Sequence, residues 1–253
     1  MKILIDAQSL QASHHRRDDQ RLCTLLSALR RRHTADFSSE TGLTGEELAR
    51  YHVLVVTTRY PESEKYTAEE RDAVRGFVSD GGGLVLMTNH ADLPGRNPHD
   101  TRAYDAELAG IFGVTIEPTF FGNRLDDVPT VLAGDVLEAE HPILKGASED
   151  GRVSAVLTNT CASIRCEQGR RLISLSEEMV DRRTGKRAQP GQLFAHALEL
   201  SATDSRGEGR VVTIADSGFI GSRWTEAPGP GLITWADNLQ FIHNAIRWAG
   251  RAI

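Results

Sequence analysis

The chain has 253 residues, 40% hydrophobic and 25% charged, with a formal net charge of -6 and a pI of about 5.9. This is ordinary composition for one large α/β domain, and its acidic balance argues against a partner read through its phosphate backbone, which needs clustered Lys and Arg. No run approaches the roughly 18 to 20 apolar residues that span a membrane, and 3 cysteines are too few for a disulfide framework, so a reducing cytoplasm is expected.

Lys2–Ile5 is a short apolar run ending in Asp6, read as a buried first strand and not a signal peptide. From Asp18 to Arg32 the residues Leu22, Leu25, Leu26 and Leu29 share one helical face, with Cys23 on its core or flank. The run Arg30-Arg31-Arg32-His33 closes that helix, where cations suit the negative end of the dipole; an anion-recruiting patch is the alternative. A second strand over Ala35–Ser38 and a short helix over Thr44–Arg50 follow. Val53–Thr57 is a β-branched run of the kind buried on both faces of a parallel sheet. Thr67 and Glu70 then form a capping box for a helix to Ser79 that buries Val74, Phe77 and Val78. Gly81-Gly82-Gly83 follows a helix and opens a strand, the reverse of a phosphate loop, so it reads as a helix stop. Strand, helix and strand with short loops make a right-handed βαβ unit.

Beyond Leu84–Met87 and a polar loop, a helix over Arg102–Phe112 buries Tyr104, Leu108 and Ile111. Strands are expected at Thr115–Thr119, Val131–Leu137, Val153–Leu157, Arg171–Leu175, Leu193–Leu200 and Gly209–Ala215, with a basic hairpin-like loop at Asp181–Gly191. His141–Leu144 reads as a turn into an apolar anchor, and a last helix spans Thr234–Ala249. No linker divides residues 1–253, so a single domain is expected.

Open α/β sheets bind ligands outside the carboxyl ends of their strands, near the switch in strand order. Four polar clusters directly follow apolar strands: Asp6-Gln8-Ser9, Thr58-Arg59-Tyr60, Asn89-His90-Asp92 and Asp216-Ser217. Together they predict one shared polar crevice.

The series ILID, VLVVTT, GGGLVLMTNH and GRVVTIADSG, closed by the helix NLQFIHNAIRWAG, resembles the class I glutamine amidotransferase-like superfamily. Within it, the likeness is to a divergent bacterial branch; trehalose-utilisation-type proteins and an intraflagellar-transport domain share the fold. The resemblance implies a flavodoxin-like three-layer sandwich with a mainly parallel central sheet. Glutaminases of this superfamily carry a Cys in a sharp elbow after the fourth strand and a late His-x-Glu. Here the elbow reads Met87-Thr88-Asn89-His90-Ala91 and the late strand ends in Asp216-Ser217-Gly218, so the resemblance does not extend to ammonia release from glutamine.

His90 is the foremost catalytic candidate, because an imidazole at a strand end can act as base, acid or ligand. Asp216 or Asp6 is expected to orient it, with Asn89 beside it. Asp6, Gln8, Thr58, Arg59, Asp92, Ser217 and Trp224 are the substrate-binding candidates. Arg59 would anchor a carboxylate or phosphate through its fork of donors, or else pair with Glu62 or Glu64. A metal held by His90, Asp92, His99 and Asp216 lacks compact ligand spacing, so neither metal nor cofactor is expected. Cys161 reads as a buried structural thiol, and Trp224 as a residue able to close over a ligand.

These features suit a small-molecule hydrolase or lyase, or else a non-catalytic module that binds a ligand or protein with the same frame. The expected partner is a small molecule, with self-association into a homo-oligomer left open; neither nucleic acid nor membrane is expected.

Overall fold

The computed structural model describes residues 1–16, 20–59, 65–92, 101–125, 128–200, 208–222 and 231–253. The first half runs β1 (Lys2–Ile5), α1 (Leu10–His14), α2 (Cys23–Arg30), β2 (Thr34–Phe37), α3 (Gly45–Leu48), β3 (Val53–Thr57), α4 (Ala68–Ser79) and β4 (Gly83–Met87). Then come α5 (Thr101–Gly110), β5 (Val114–Gly122), β6 (Thr130–Ala133), α6 (Pro142–Lys145), β7 (Ala155–Thr158), β8 (Thr160–Cys166) and β9 (Arg170–Ser174). The chain closes with β10 (Val180–Asp181), β11 (Leu193–Glu199), β12 (Arg210–Ile214) and α7 (Asn238–Ala249).

Among the described residues these elements form an α/β fold around a 10-stranded sheet in the order β10-β5-β8-β11-β12-β4-β3-β1-β2, with β9 added against β11. The centre of the sheet, β12-β4-β3-β1-β2, is parallel throughout. Beyond β12 the pairings turn antiparallel through β11, β8, β5 and β10, and β6 pairs separately with β7. Every residue of β3 and β4 is buried, which explains their unbroken apolar runs. From β1 the chain steps one way to β2, then returns to the other side of β1 for β3 and β4. Right-handed crossovers in opposite directions place α2 and α4 on opposite faces, and the switch in strand order lies between β1 and β3.

Local chemistry sets several boundaries. The Thr67–Glu70 capping box starts α4, with Thr67 Oγ1 accepting from Glu70 N at 3.1 Å and Glu70 Oε2 from Thr67 N at 2.8 Å. Gly81, at φ +96°, ends the α4 turn. Gly83 begins β4 so tightly under α7 that a Cβ would sit 2.4 Å from the Ala249 carbonyl oxygen. The glycine run is therefore a helix stop and a packing contact, at the opposite pole from the strand ends.

The expected turn at His141–Leu144 is a short helix, α6, whose first turn is capped by His141 Nδ1 accepting from Ile143 N. Its Ile143 and Leu144 are fully buried, as an anchor requires. Trp248 lies in the core at 3% exposed. Cys23 departs from the core placement and is exposed at the start of α2. Cys161 lies within β8, a strand the sequence pattern did not single out, and is fully buried. Among the described residues, no helix is long and apolar enough to cross a membrane.

Candidate functional site

The parallel strands deliver their polar clusters to one pole, but most of these side chains face inward and satisfy one another. At the switch between β1 and β3, the Arg59 side chain lies between the two strand ends and is 1% exposed. Its Nη1 donates to Asp6 Oδ2 at 3.3 Å and its Nη2 to Glu70 Oε1 at 3.3 Å and to Gln8 Oε1. The guanidinium also lies 4.4 Å from the centroid of the Tyr66 ring. Burial opposes its charge, and the carboxylates of Asp6 and Glu70 outweigh that, so its pKa is raised. Asp6 is fully buried; burial pushes its carboxyl up, with Arg59 pulling the other way. The expected anchor for an outside anion is thus engaged within the protein, through Asp6 and through Glu70, which also caps α4. Glu62 and Glu64 lie outside the described residues.

One strand further on, Asp105 of α5 ties β3 to β4. Its Oδ1 accepts from Arg59 N at 3.0 Å, and its Oδ2 from Thr88 Oγ1 at 3.0 Å and from Thr58 Oγ1. Thr58 sits at φ +61°, in the left-handed region where a β-branched residue is strained by roughly 1–3 kcal/mol. Three bonds hold it there: Thr58 N to Met87 O, Leu10 N to Thr58 O, each 2.7 Å, and the hydroxyl to Asp105. Burial raises the Asp105 pKa to about 7 against these hydrogen bonds.

At the end of β12, Asp216 Oδ2 accepts from Thr158 Oγ1 at 2.7 Å and Oδ1 from Gly218 N at 2.6 Å. Burial lifts its pKa to about 6. Ser217 is fully buried, and its hydroxyl has no hydrogen-bond partner among the described residues. Burial, aided by the charge of Asp216, drives the Cys161 thiol well above its ordinary value, so no reactive thiolate forms there.

His90 emerges at the rim. The loop after β4 docks on a register shift in β5, through Ala91 N to Thr119 O at 2.9 Å. There the His90 ring stacks on Phe120, with centroids 3.7 Å apart and planes 11° off parallel. His90 Nδ1 donates to Ala91 O at 2.9 Å, and Asn89 Oδ1 accepts from His90 N at 2.9 Å. The expected orientation of His90 by Asp6 or Asp216 is replaced by this arrangement, because each carboxylate is held by its own strand-end partners. Asn89, His90, Asp92 and Gln8 are the half-buried members of the predicted set. Trp224, Tyr60 and His99 lie outside the described residues. Among the described residues, no group of three or more His, Cys, Asp or Glu side chains is placed to hold a metal ion.

Sequence reasoning missed Asp105, Thr88, Thr158 and Phe120. Asp105 had a legible signal: it shares a helical face with Leu108, Ala109 and Phe112, all buried, so a carboxylate there must find partners indoors. A groove of about 490 Å³, lined in part by Tyr51, His52, Asp72 and Gly82, opens at the opposite pole and has no share in these clusters.

No family model matches the chain, and no curated protein matches it. Solved structures do. The mmIFT52 N-terminal domain superposes with a TM-score of 0.70 at 12% identity, covering 98% of this chain and 97% of that one. A ThuA-like protein from Bacteroides uniformis gives 0.55 at 15% identity over 98% of this chain and 90% of that one. A ThuA-like protein from Parabacteroides merdae gives 0.56 at 12% identity over 99% and 90%. The fold is like that of ThuA-like proteins and of the mmIFT52 N-terminal domain. At these identities the likeness concerns the frame alone. In this frame, the fourth strand ends in Thr88-Asn89-His90, where the sequence has no thiol.

The buried carboxylates make stability depend on pH. Asp216 ionises near its ordinary value of 3.8 when unfolded and at about 6 when folded, so the native state holds the proton more tightly. Its contribution is fully present below pH about 4 and is lost as pH rises through about 6, on the order of 3 kcal/mol. Asp216→Asn is expected to flatten that segment of the stability profile, measured by urea unfolding at pH 4, 5, 6 and 8. An unchanged slope between pH 4 and 6 would show that Asp216 is not the group responsible.

Proposed function

We propose that this domain binds a small polar molecule at its strand-end pole without converting it, and that it has no glutaminase chemistry. One observation carries the reading: the crevice at the strand-order switch, where open α/β sheets place ligands, is filled by the chain's own Arg59 with Asp6, Gln8 and Glu70. The half-buried groups at this pole that a ligand would meet are Asn89 and His90, whose ring is backed by the buried Phe120, so an imidazole adjoins amide chemistry there. A second reading, an acid–base enzyme of hydrolase or lyase type, is favoured by Asp105 and Asp216, whose midpoints of about 7 and about 6 fall near working pH.

The test uses the purified chain and a protein-free small-molecule extract. L-Glutamine is expected to release no ammonia above a buffer blank. Native mass spectrometry is expected to show a retained molecule, recovered chemically unchanged, that His90→Ala and Asn89→Ala fail to retain. Recovery of a hydrolysed or eliminated product would establish the enzyme reading. Full retention by both variants would place binding elsewhere.

A further inference from the structure

The basic run that ends α2 has a counterpart on α7. His33 and His243 lie with ring centroids 6.1 Å apart and planes 29° from parallel. Arg247 stands four residues beyond His243 and so shares its helical face. Neither helix carries a carboxylate: α2 reads CTLLSALR and α7 reads NLQFIHNAIRWA. Arg30 has a structural duty, donating to Ala35 O at 3.0 and 3.2 Å, and Arg247 spends one donor of its fork, Nη2, on Ala252 O at 3.2 Å. Arg31 and Arg32 are exposed, while His33, His243 and Arg247 are half-buried.

Among the described residues, Arg31, Arg32 and Arg247 have no carboxylate within ion-pair distance. Asp36, on the adjoining β2, accepts instead from Tyr51 Oη at 3.3 Å. Burial and the surrounding cations hold both imidazoles below their ordinary value. The cations at both rings are Arg247 and Arg32. Like charges gathered without an ion-pair partner repel one another, and this is a locus of positive charge on a chain whose net charge is -6.

We propose that the α2–α7 face is a binding site for a phosphate-class oxyanion, a phosphomonoester or diphosphate group, held by Arg32 and Arg247 with His33 and His243 as hydrogen-bonding partners. Two guanidinium forks from separate elements suit a tetrahedral group with several acceptor oxygens better than a planar carboxylate. The same chemistry is offered by a soluble phosphate compound and by an anionic lipid headgroup.

The probe is inorganic pyrophosphate, titrated at low ionic strength while the histidine ring protons are followed by NMR. The His33 and His243 signals are expected to shift and saturate, and their titration midpoints to rise, because the bound anion reverses the local sign of charge. Sodium chloride of matched ionic strength should not reproduce this. Arg32→Gln with Arg247→Gln is expected to weaken binding by about tenfold or more, with the thermal transition kept because neither arginine lies in the core. Co-sedimentation with phosphatidylcholine vesicles, with and without phosphatidic acid, separates the two sources: capture only by the acidic vesicles points to a headgroup, and no capture beside pyrophosphate binding points to a soluble phosphate. Ring signals that stay fixed, or that move equally with chloride or in the double variant, would overturn the proposal.

Discussion

Arg59→Leu is expected to lower the unfolding free energy by about 3–5 kcal/mol. The substitution keeps apolar bulk against Tyr66 but leaves Asp6, fully buried, and Glu70, nearly so, without their shared cation. An uncompensated carboxylate in such a place must take up a proton or draw in water, and either distorts the ends of β1 and β3. Arg59→Lys should recover only part of the loss, since one ammonium cannot serve Asp6, Glu70 and Gln8 with the reach of a guanidinium. Arg59→Leu combined with Asp6→Asn should be more stable than Arg59→Leu alone, because the second change removes one orphaned charge. Urea unfolding of the three variants at pH 7 decides the matter. A loss under about 1 kcal/mol for Arg59→Leu, typical of an exposed ion pair, would mean that the cluster is not what holds the switch point shut.

That cluster also shows how far the sequence could be read. The parallel half was legible because burial on both faces forces unbroken apolar runs, so KILI, VLVVT and GLVLM mark β1, β3 and β4 almost to the residue. The antiparallel half was less so. Pro118 and the register shift interrupt β5 between Glu117 and Phe121, and TCASIRC in β8 mixes small polar with apolar residues. At the site, sequence placed the polar residues at the right ends of the right strands, but not their direction. Whether Arg59 faces solvent or the core depends on Glu70, 11 residues later, and whether Asp216 meets His90 or Thr158 depends on a pairing 58 residues away. Such partners are set by tertiary packing, and no local periodicity announces them. A buried polar cluster and an open polar crevice have the same sequence signature until the partners are known.

Asp105→Ala should cost about 3–5 kcal/mol, and the comparison with Asp105→Asn tells what the residue is for. Alanine removes the acceptor of three donors at once, Arg59 N and the hydroxyls of Thr58 and Thr88, in a place that is fully buried. It also frees Thr58 to leave its left-handed conformation at φ +61°, so the ends of β3 and β4 should lose their fixed relation. Asparagine keeps an acceptor for Arg59 N and can donate to a hydroxyl, so it should preserve the clamp. The sign of its pH dependence follows from the carboxyl it replaces, whose pKa rises from 3.8 to about 7 on folding. The wild type is favoured below pH about 4 and loses that advantage as pH rises through about 7, whereas the Asn variant has no such loss. Asp105→Asn should therefore gain on the wild type steadily from pH 4 to pH 8 in urea unfolding, while Asp105→Ala stays below both. If ligand retention at the His90 rim survives in Asp105→Asn and fails in Asp105→Ala, the clamp acts by positioning the β4 end. Loss of retention in Asp105→Asn, with stability intact, would instead assign the Asp105 proton to chemistry and favour the enzyme reading.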